Sequence, residues 1–307
     1  MLALVAAPSR PGGIELREIA EPLPQSDQAV IAVEAVSLNR GEVRAVRAAA
    51  DGTLVGWDVA GTVLHAAVDG SGPREGARVV GLASSGWAQH VAVPTGFLAP
   101  IPDALPTTAA ATLPVAGLTA LHTLYTGGIT EAKRVLVTGA SGGVGRFAVQ
   151  IAAHSAATVT AVVGSETRGA GLRELGADDV SIGMPDGGEY DIILESVGGE
   201  SLGRALTLVA AGGCIVSFGC SSGAPTTFDG PAFYRRHGAR LAAFVLAAEL
   251  QRTGSAVHDL VNLADQLATG HLDAQIELEL DWHRAAESFD ALLDRRIAGK
   301  AVLRIEQ

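Results

Sequence analysis

Residues 134–154 read RVLVTGASGGVGRFAVQIAAH, and they carry the strongest indication of the fold. Arg134–Thr138 is a short apolar, β-branched run of the kind that forms a buried strand. Residues 146–154 then place their apolar side chains at helical spacing. Between the two lies the glycine-rich segment 139–145, GASGGVG. The stretch therefore predicts a strand, a tight turn and a helix.

The turn matches a dinucleotide-binding fingerprint, Ala140-x-Gly142-x-x-Gly145, with alanine at its first position. Gly142 allows the backbone to approach a pyrophosphate, and Gly145 allows the helix to pack close to the strand. The helix N-terminus, with the amides of Gly143 and Val144, offers hydrogen-bond donors and a positive dipole end to phosphates. Because the turn follows a strand and opens a helix, its context favours a dinucleotide site over a turn without a ligand.

The chain outward from this turn divides into two patterns. Downstream, predicted strands at 158–163, 179–182, 191–195 and 213–218 alternate with helices at 167–175 and 201–209. This alternation is typical of a doubly wound parallel sheet that is covered on both faces. Upstream, short apolar runs at 28–36, 60–66 and 88–93 are separated by Pro, Gly and Asp turns. They predict a small β-barrel or sandwich, so we expect an α/β protein with two domains.

Composition excludes several classes of protein. The 307 residues are 48% apolar and 18% charged, with a net charge of −11, which disfavours nucleic acid and anionic membranes as partners. Cys214 and Cys220 are too few for a disulfide scaffold or a four-thiolate metal site. The long uncharged windows contain Pro, Gly and polar interruptions, and the first residues lack a leader pattern. We therefore expect a soluble, cytoplasmic protein.

The end of the second α/β strand indicates which nucleotide binds. An acidic residue there would bind the ribose hydroxyls of NAD, but this strand is followed by Ser165, with Arg168 three residues on. A hydroxyl and a guanidinium together suit a 2′-phosphate, so the sequence favours NADP(H). Glu166 lies between them and either pairs with Arg168 or repels the phosphate. The alternative is that Ser165 caps a helix and Arg168 is a solvated surface charge.

Two different classes of function remain open at this point. Residues 139–143 also satisfy the G-x-S-x-G nucleophile elbow, which would make Ser141 the nucleophile of a serine hydrolase. A hydrolase would need a downstream acid and His258, His271 or His283, and it would leave Gly145 without a role. The second alternative is a non-catalytic NADP(H)-binding protein, because the same turn binds cofactor with or without turnover.

Short motifs along nearly the whole chain carry a family resemblance. In order they are residues 33–40 (VEAVSLNR), 56–61 (GWDVAG), 76–81 (GARVVG), 88–94 (AQHVAVP), 117–120 (GLTA), the glycine turn, 196–199 (SVGG) and 299–303 (GKAVL). Together the chain resembles the medium-chain dehydrogenase/reductase superfamily, and specifically its zinc-independent, zeta-crystallin-like quinone oxidoreductase branch.

The resemblance implies a fold and an assembly. It implies a GroES-like β-barrel catalytic domain, residues 1–116 completed by 266–307, and a Rossmann dinucleotide-binding domain, residues 117–265. It also implies a homodimer, with the active site in the cleft between the domains. The zinc branch has a cysteine near position 39 and Gly-His-Glu near position 56, whereas this chain has Asn39 and Gly56-Trp57-Asp58. We therefore expect no metal.

The implied chemistry is hydride transfer from NADPH to a small-molecule quinone or related electron-poor carbonyl acceptor, or alternatively to the carbon–carbon double bond of an enone. The expected catalytic residues are Asn39, donating a hydrogen bond to the acceptor carbonyl, Arg40, attracting the acceptor, and Trp57, stacking on a flat ring. The expected cofactor contacts are Asn39, Thr119, Ala140, Gly142, Gly143, Val144, Gly145, Ser165, Arg168, Val197, Gly198, Phe218, Gly219, Phe244, Val245 and, near the phosphates, Lys300.

The sequence departs from the family pattern at two places. The segment 40–55 that follows Asn39, which helps to cover the substrate pocket in the family, is short. The family's tyrosine near the adenosine phosphate has Gly183 at about its position. These departures leave the acceptor unidentified. Separately, no residue has the features of a general acid.

Overall fold

The computed structural model describes residues 1–306, which form two compact units. Of the described residues, 1–118 and 250–306 form the first unit, and 119–249 form the second. Residues 250–265 thus belong to the first unit, whereas the predicted boundary assigned them to the Rossmann domain. The secondary-structure elements are β1 (Leu2–Ala6), β2 (Ile14–Glu18), β3 (Gln28–Leu38), α1 (Arg40–Ala48), β4 (Asp58–His65), β5 (Arg78–Leu82), β6 (His90–Pro94), β7 (Leu98–Pro100), α2 (Thr107–Ala110), α3 (Leu118–Gly127), β8 (Arg134–Thr138), α4 (Gly143–His154), β9 (Thr158–Val163), β10 (Asp179–Ile182), β11 (Tyr190–Glu195), α5 (Gly199–Leu208), β12 (Val209–Ser217), α6 (Gly230–Tyr234), β13 (Arg240–Ala243), α7 (Leu246–Thr253), α8 (Val257–Ala268), β14 (Ile276–Asp281), α9 (Ala285–Leu293) and β15 (Lys300–Arg304).

The second unit is a Rossmann-type domain built on a parallel sheet. Its strand order is β10-β9-β8-β11-β12-β13, and each neighbouring pair is parallel. The chain fills one side of β8 first, with β9 and β10, and then crosses to the other side with β11, β12 and β13. The strand order therefore reverses between β8 and β11, which is where sheets of this kind bind their ligands.

The first unit is a GroES-like β-domain, which the C-terminal segment completes. Its larger sheet has the order β14-β15-β3-β4-β5-β7, with β6 also paired to β3. Buried Trp87 packs against Phe289 of α9 with ring centroids 5.0 Å apart. A Cβ added at Gly56, which has a φ of +112°, would lie 2.4 Å from the Trp87 ring, so glycine is required there.

One predicted helix is wrong. Residues 167–175 were expected to be helical, but the chain forms a 3-10 turn at Glu166–Gly169 followed by turns. Gly169 and Gly171 fall inside the segment, and Gly171 has a φ of +77°. Glycine costs about 1 kcal/mol relative to alanine inside a helix, so these two residues disfavour one. Leu172, in the turns that form instead, is buried.

Within residues 1–306, none of the helices combines the length and apolar character needed to span a bilayer.

Candidate active site

The predicted cofactor residues of the second unit lie at one edge of its sheet. The glycine turn follows β8, Ser165 and Arg168 follow β9, Val197 and Gly198 follow β11, Phe218 and Gly219 follow β12, and Phe244 and Val245 follow β13. Because the strands are parallel, these five carboxyl ends face the same side of the domain. The structure therefore brings these predicted residues to the edge at which Rossmann domains bind dinucleotides.

The glycine turn fits a phosphate group. Gly142 is the N-cap of α4 and supplies no side-chain acceptor to the first helical turn, so the amides there are left for another acceptor. A Cβ at Gly145 would lie 2.5 Å from the Gly139 carbonyl oxygen and 2.6 Å from Ala140 Cα. The helix thus starts too close to the strand for any side chain at this position. These features suit the pyrophosphate of a dinucleotide.

Arg168 extends back from the end of β9 to this turn. Its Nε donates a hydrogen bond of 2.9 Å to Ser141 Oγ. Ser165 lies beside it, with its hydroxyl 3.2 Å from that of Thr167. A guanidinium and a serine hydroxyl therefore lie at the position expected for a 2′-phosphate.

The same contact argues against Ser141 as a nucleophile. Ser141 is 3% exposed, and a guanidinium cannot take a proton from it as a general base would. His258, His271 and His283 belong to the other unit.

The turns that follow β11 and β12 are joined to each other. Ser221 N donates to Ser196 O at 3.1 Å, and Ser222 N donates to Val197 O at 2.8 Å. Gly198 has a φ of +73°. A Cβ on Gly219 would lie 3.0 Å from Ser196 O, so the two turns approach each other backbone to backbone.

The predicted nicotinamide contacts differ in exposure. Phe218 is half-buried, and its amide donates to Glu195 O at 2.9 Å. Phe244 is buried, whereas Val245, directly before α7, is 64% exposed. Thr119 is buried in the first turn of α3. Val245 is thus the member of this group that is most open to a ligand.

Asn39 belongs to a buried polar cluster in the first unit. Its Nδ2 donates to Asp58 Oδ2 at 2.8 Å and to Glu42 Oε2 at 3.0 Å, and its Oδ1 accepts from Lys300 Nζ at 2.8 Å. Ser37 Oγ also donates to Asp58. Strand topology explains the cluster, because β15 begins and β3 ends beside the start of β4. Asn39 would donate to an acceptor carbonyl only by giving up one of these bonds.

Lys300 differs from its predicted role near the cofactor phosphates. It is 2% exposed, and its ammonium lies 3.4 Å from a carboxylate oxygen of fully buried Asp58. It also donates to Leu38 O at 3.3 Å. With Asn39 as the third partner, the donors of the ammonium are used inside the unit.

Glu42 is the unexpected member of the cluster. It is 1% exposed, and its Oε1 is buried with no hydrogen-bond partner. Burial raises the pKa of the Glu42 carboxyl well above its usual range, and the charge of Asp58 raises it further. Asn39 and Lys300 oppose this rise. The raised pKa favours the protonated form of Glu42 in the folded protein.

Arg40 and Trp57 have different surroundings. The Arg40 guanidinium donates to the carbonyls of Leu292 and Leu293 at 3.4 and 3.1 Å, so it holds the C-terminus of α9. This placement disagrees with its predicted role of attracting the acceptor. Trp57 is 36% exposed, and its ring lies over Gly41, where an added Cβ would be 3.2 Å from the indole. The indole remains available for stacking.

Sequence reasoning missed Glu42, Asp58 as a partner of lysine, and Glu195. All three are acidic residues that the fold buries completely or nearly so. One signal was present, since Asp58 and Glu195 each occur in or beside an apolar strand run. Within residues 1–306, no group of three or more His, Cys, Asp or Glu side chains is arranged to hold a metal ion.

Two curated relatives show what the chain is similar to. A phenolphthiocerol/phthiocerol polyketide synthase from Mycobacterium tuberculosis is 28% identical over 98% of this chain and 14% of that protein. A chloroplastic quinone-oxidoreductase homolog from Spinacia oleracea is 31% identical over 59% of this chain and 63% of that protein. The chain thus spans about one seventh of the first relative and less than two thirds of the second.

Solved structures share the complete fold. The CurK enoyl reductase has a TM-score of 0.84 at 22% identity, covering 99% of both chains. A mycobacterial protein complexed with NADPH has a TM-score of 0.86 at 21% identity, covering 99% of this chain and 100% of that one. Both matches extend over nearly the whole of this chain.

The family model "Zinc-binding dehydrogenase" matches residues 143–262, which begin at the first helix of the Rossmann unit. Its match, the two-unit fold and the plant quinone oxidoreductase homologue agree with one another. The chain is similar to members of the medium-chain dehydrogenase/reductase superfamily, and its features are consistent with the zinc-independent quinone oxidoreductase branch.

Proposed function

We propose that the chain is an NADPH-dependent oxidoreductase that transfers hydride to a quinone or a related electron-poor carbonyl acceptor without zinc. The observation that carries the cofactor assignment is the 2.9 Å bond between Arg168 and Ser141. It holds a permanent positive charge at the glycine turn, beside Ser165, where NADPH has its additional phosphate. The mycobacterial neighbour that was solved with NADPH supports the same cofactor.

NADPH supplies the hydride, and the protein supplies position and electrostatics. The α4 N-terminus binds the pyrophosphate, and the 2′-phosphate pairs with Arg168 and Ser165. Thr119, Phe218, Gly219, Phe244 and Val245 are the proposed contacts of the nicotinamide. Trp57 offers an aromatic face to a flat acceptor.

The second candidate is an enoyl or enone reductase. It is supported by the CurK enoyl reductase, which covers 99% of this chain. A match to a polyketide synthase over 98% of the chain points in the same direction. Both candidates share the cofactor site and differ in the acceptor.

The test is calorimetric titration with NADPH and NADH side by side, followed by NADPH-oxidation assays with a quinone panel and an enoyl-thioester panel. We expect tight NADPH and weak NADH binding, with turnover of quinones. Arg168→Gln should lower NADPH affinity about tenfold to 150-fold, since a charge-assisted hydrogen bond contributes about 1.5–3 kcal/mol, and should leave NADH affinity unchanged.

An exposed arginine in the same unit, Arg173, provides the matched control as Arg173→Gln. Preference for NADH would overturn the cofactor assignment, and binding of neither nucleotide would overturn the reductase. Turnover of enoyl thioesters alone would select the second candidate, and NADPH binding without any turnover would select a non-catalytic protein.

We also propose a homodimer in the cytoplasm. β13 is an edge strand of the parallel sheet, and its Leu241 is 48% exposed. An edge strand with an exposed apolar side chain is suited to pairing with a second copy. Light scattering of the wild type and of Leu241→Lys tests this, with a monomeric wild type as the contradicting result.

A further inference from the structure

A fully buried carboxylate, Glu195, ends strand β11 at the point where the strand order reverses. Its side chain is 0% exposed. Burying a carboxylate costs several kcal/mol unless hydrogen bonds compensate for the lost water. The fold retains this group at the edge that carries the proposed cofactor site.

Glu195 accepts hydrogen bonds from the segment that follows β11 and from the end of β8. Its Oε1 accepts from Val197 N at 3.0 Å and Ser201 Oγ at 2.9 Å, and its Oε2 accepts from Gly198 N at 3.0 Å. Thr138 Oγ1, at the end of β8, lies 3.3 Å from Oε1. The carboxylate thus holds the turn between β11 and α5 and contacts the neighbouring strand.

Thr138 also contacts Ser196, the residue that follows Glu195. Its Oγ1 accepts from Ser196 N at 2.9 Å, and its carbonyl oxygen accepts from Ser196 Oγ at 3.1 Å. Gly139, which opens the glycine turn, would place a Cβ 2.7 Å from Ser196 Oγ. The ends of β8 and β11 are therefore fixed to each other by side chains, in addition to the strand pairing.

The position of this network indicates which half of a dinucleotide it serves. Arg168 and Ser165 lie beyond β9, on one side of β8, and β11 lies on the other side. A dinucleotide that spans the reversal point with its pyrophosphate at the glycine turn has its adenosine at β9 and its nicotinamide at β11 and β12. Glu195 holds the turn on the nicotinamide side.

We infer that Glu195 is a positioning residue, which holds Val197 and Gly198 in the conformation that receives the nicotinamide half of the cofactor. The inference rests on the proposed NADP(H) function. The carboxylate need not touch the cofactor, because it acts through the two backbone amides that it binds. Its effect should therefore fall on ligands that contain nicotinamide and not on the adenosine half alone.

The test compares two probes, NADPH and adenosine 2′,5′-bisphosphate, by calorimetry on wild type and Glu195→Gln. Glutamine keeps the size of the side chain, but its Nε2 presents a donor to Gly198 N–H. We expect NADPH affinity to fall about tenfold or more, since leaving a donor without its charged partner costs about 1–3 kcal/mol. Affinity for the bisphosphate should change less than twofold.

Asp191→Asn is the matched control. Asp191 lies near the opposite end of β11 and joins it to β8, since it accepts from Arg134 N at 2.9 Å and Arg134 Nε at 3.1 Å. The substitution disturbs the same two strands away from the cofactor edge. Both probes should bind this variant as they bind wild type.

The outcomes separate the inference from the proposed function. Unchanged NADPH affinity in Glu195→Gln, or equal weakening of both probes, would overturn the positioning role while wild-type NADPH binding upholds the function. A wild type that binds neither probe would overturn the function, and the inference with it. If Glu195→Gln does not fold, Thr138→Val removes the connecting hydroxyl, and it must weaken NADPH more than the bisphosphate.

Discussion

The carboxyl edge of the parallel sheet and the polar cluster around Asn39 treat their hydrogen-bonding groups in opposite ways. At the sheet edge, α4 begins with no side-chain cap, so its first amides remain for a ligand. In the cluster, the two donors of the Asn39 amide and its oxygen are all used by neighbouring side chains. The sheet edge therefore leaves backbone donors available, whereas the cluster uses its donors to hold its own geometry.

The sheet edge and the cluster also differ in the groups that their basic side chains contact. Arg168 contacts the glycine turn through a neutral serine hydroxyl, to which its Nε donates. Lys300 has a buried carboxylate 3.4 Å away, so its charge is balanced inside the unit. We therefore expect substitutions at the sheet edge to change ligand binding, and substitutions in the cluster to change stability.

The largest expected effect is that of Lys300→Met. Removing the ammonium leaves buried Asp58 without its counter-charge, which should lower the free energy of unfolding by about 3–5 kcal/mol. Urea denaturation measures this loss, and NADPH affinity should be unchanged. Arg304→Met, which breaks an exposed ion pair on the same strand, is the control. A tenfold loss of NADPH affinity with normal stability would restore the predicted phosphate contact.

The second-largest expected effect is that of Gly145→Ala on the affinity for NADPH. Its Cβ would overlap the backbone of Gly139 and Ala140, pushing α4 away from β8 and displacing the first-turn amides. We expect NADPH affinity to fall about fivefold to 150-fold, because overpacking costs about 1–3 kcal/mol. Calorimetry checks this against Gly187→Ala, where an added Cβ meets nothing within 4 Å. Equal affinities for the two variants would contradict the close approach.

The sequence predicted the parallel sheet closely because its strands are continuous apolar runs. The predicted strands 134–138, 158–163 and 179–182 coincide with β8, β9 and β10. Helical spacing was a weaker guide, since the apolar residues of 167–175 recur at helical intervals although Gly169 and Gly171 favour turns. The glycine turn could be predicted because the spacing of a few neighbouring residues identifies it, without any contact to a distant part of the chain.

The cluster was not predictable, because it depends on strand pairing between distant parts of the chain. Lys300 and Asp58 are 242 positions apart and meet only when β15 pairs with β3, and β3 with β4. Without that pairing, Lys300 in a Gly-Lys motif and Glu42 in a charged segment both indicate surface residues. The positions of Arg40 on α9 and of Glu195 under its turn depend on tertiary contacts in the same way.

Glu42 makes the cluster sensitive to pH. Its pKa is raised in the folded protein by burial and by Asp58, with Lys300 and Asn39 opposing, so the folded state holds its proton more tightly than the unfolded state. Stability should then be lost as pH rises from about 4.5 towards the folded pKa, by at most about 1.4 kcal/mol per pH unit. Glu42→Gln cannot lose a proton and should not show this loss.

Urea denaturation of both proteins between pH 4 and pH 8 measures the effect. The stability of Glu42→Gln relative to wild type should increase with pH. Glu287→Gln, an exposed glutamate whose pKa is lowered by Arg284, is the control and should show no such increase. A relative stability that decreases with pH would mean that Lys300 stabilises an ionised Glu42.

The smallest expected effect is that of Trp57→Ala. Trp57 lies beside the cluster, and its side chain is partly open to solvent. The indole is 36% exposed and rests on Gly41, beside the buried groups without joining their hydrogen bonds. If it stacks on a flat acceptor, its removal should raise the KM for a ring quinone about threefold to tenfold, as expected for an aromatic contact of about 0.5–1.5 kcal/mol. NADPH affinity and stability should not change. Trp57→Phe should keep most of the effect, whereas an unchanged quinone KM in Trp57→Ala would show that the exposed ring has no part in binding the acceptor.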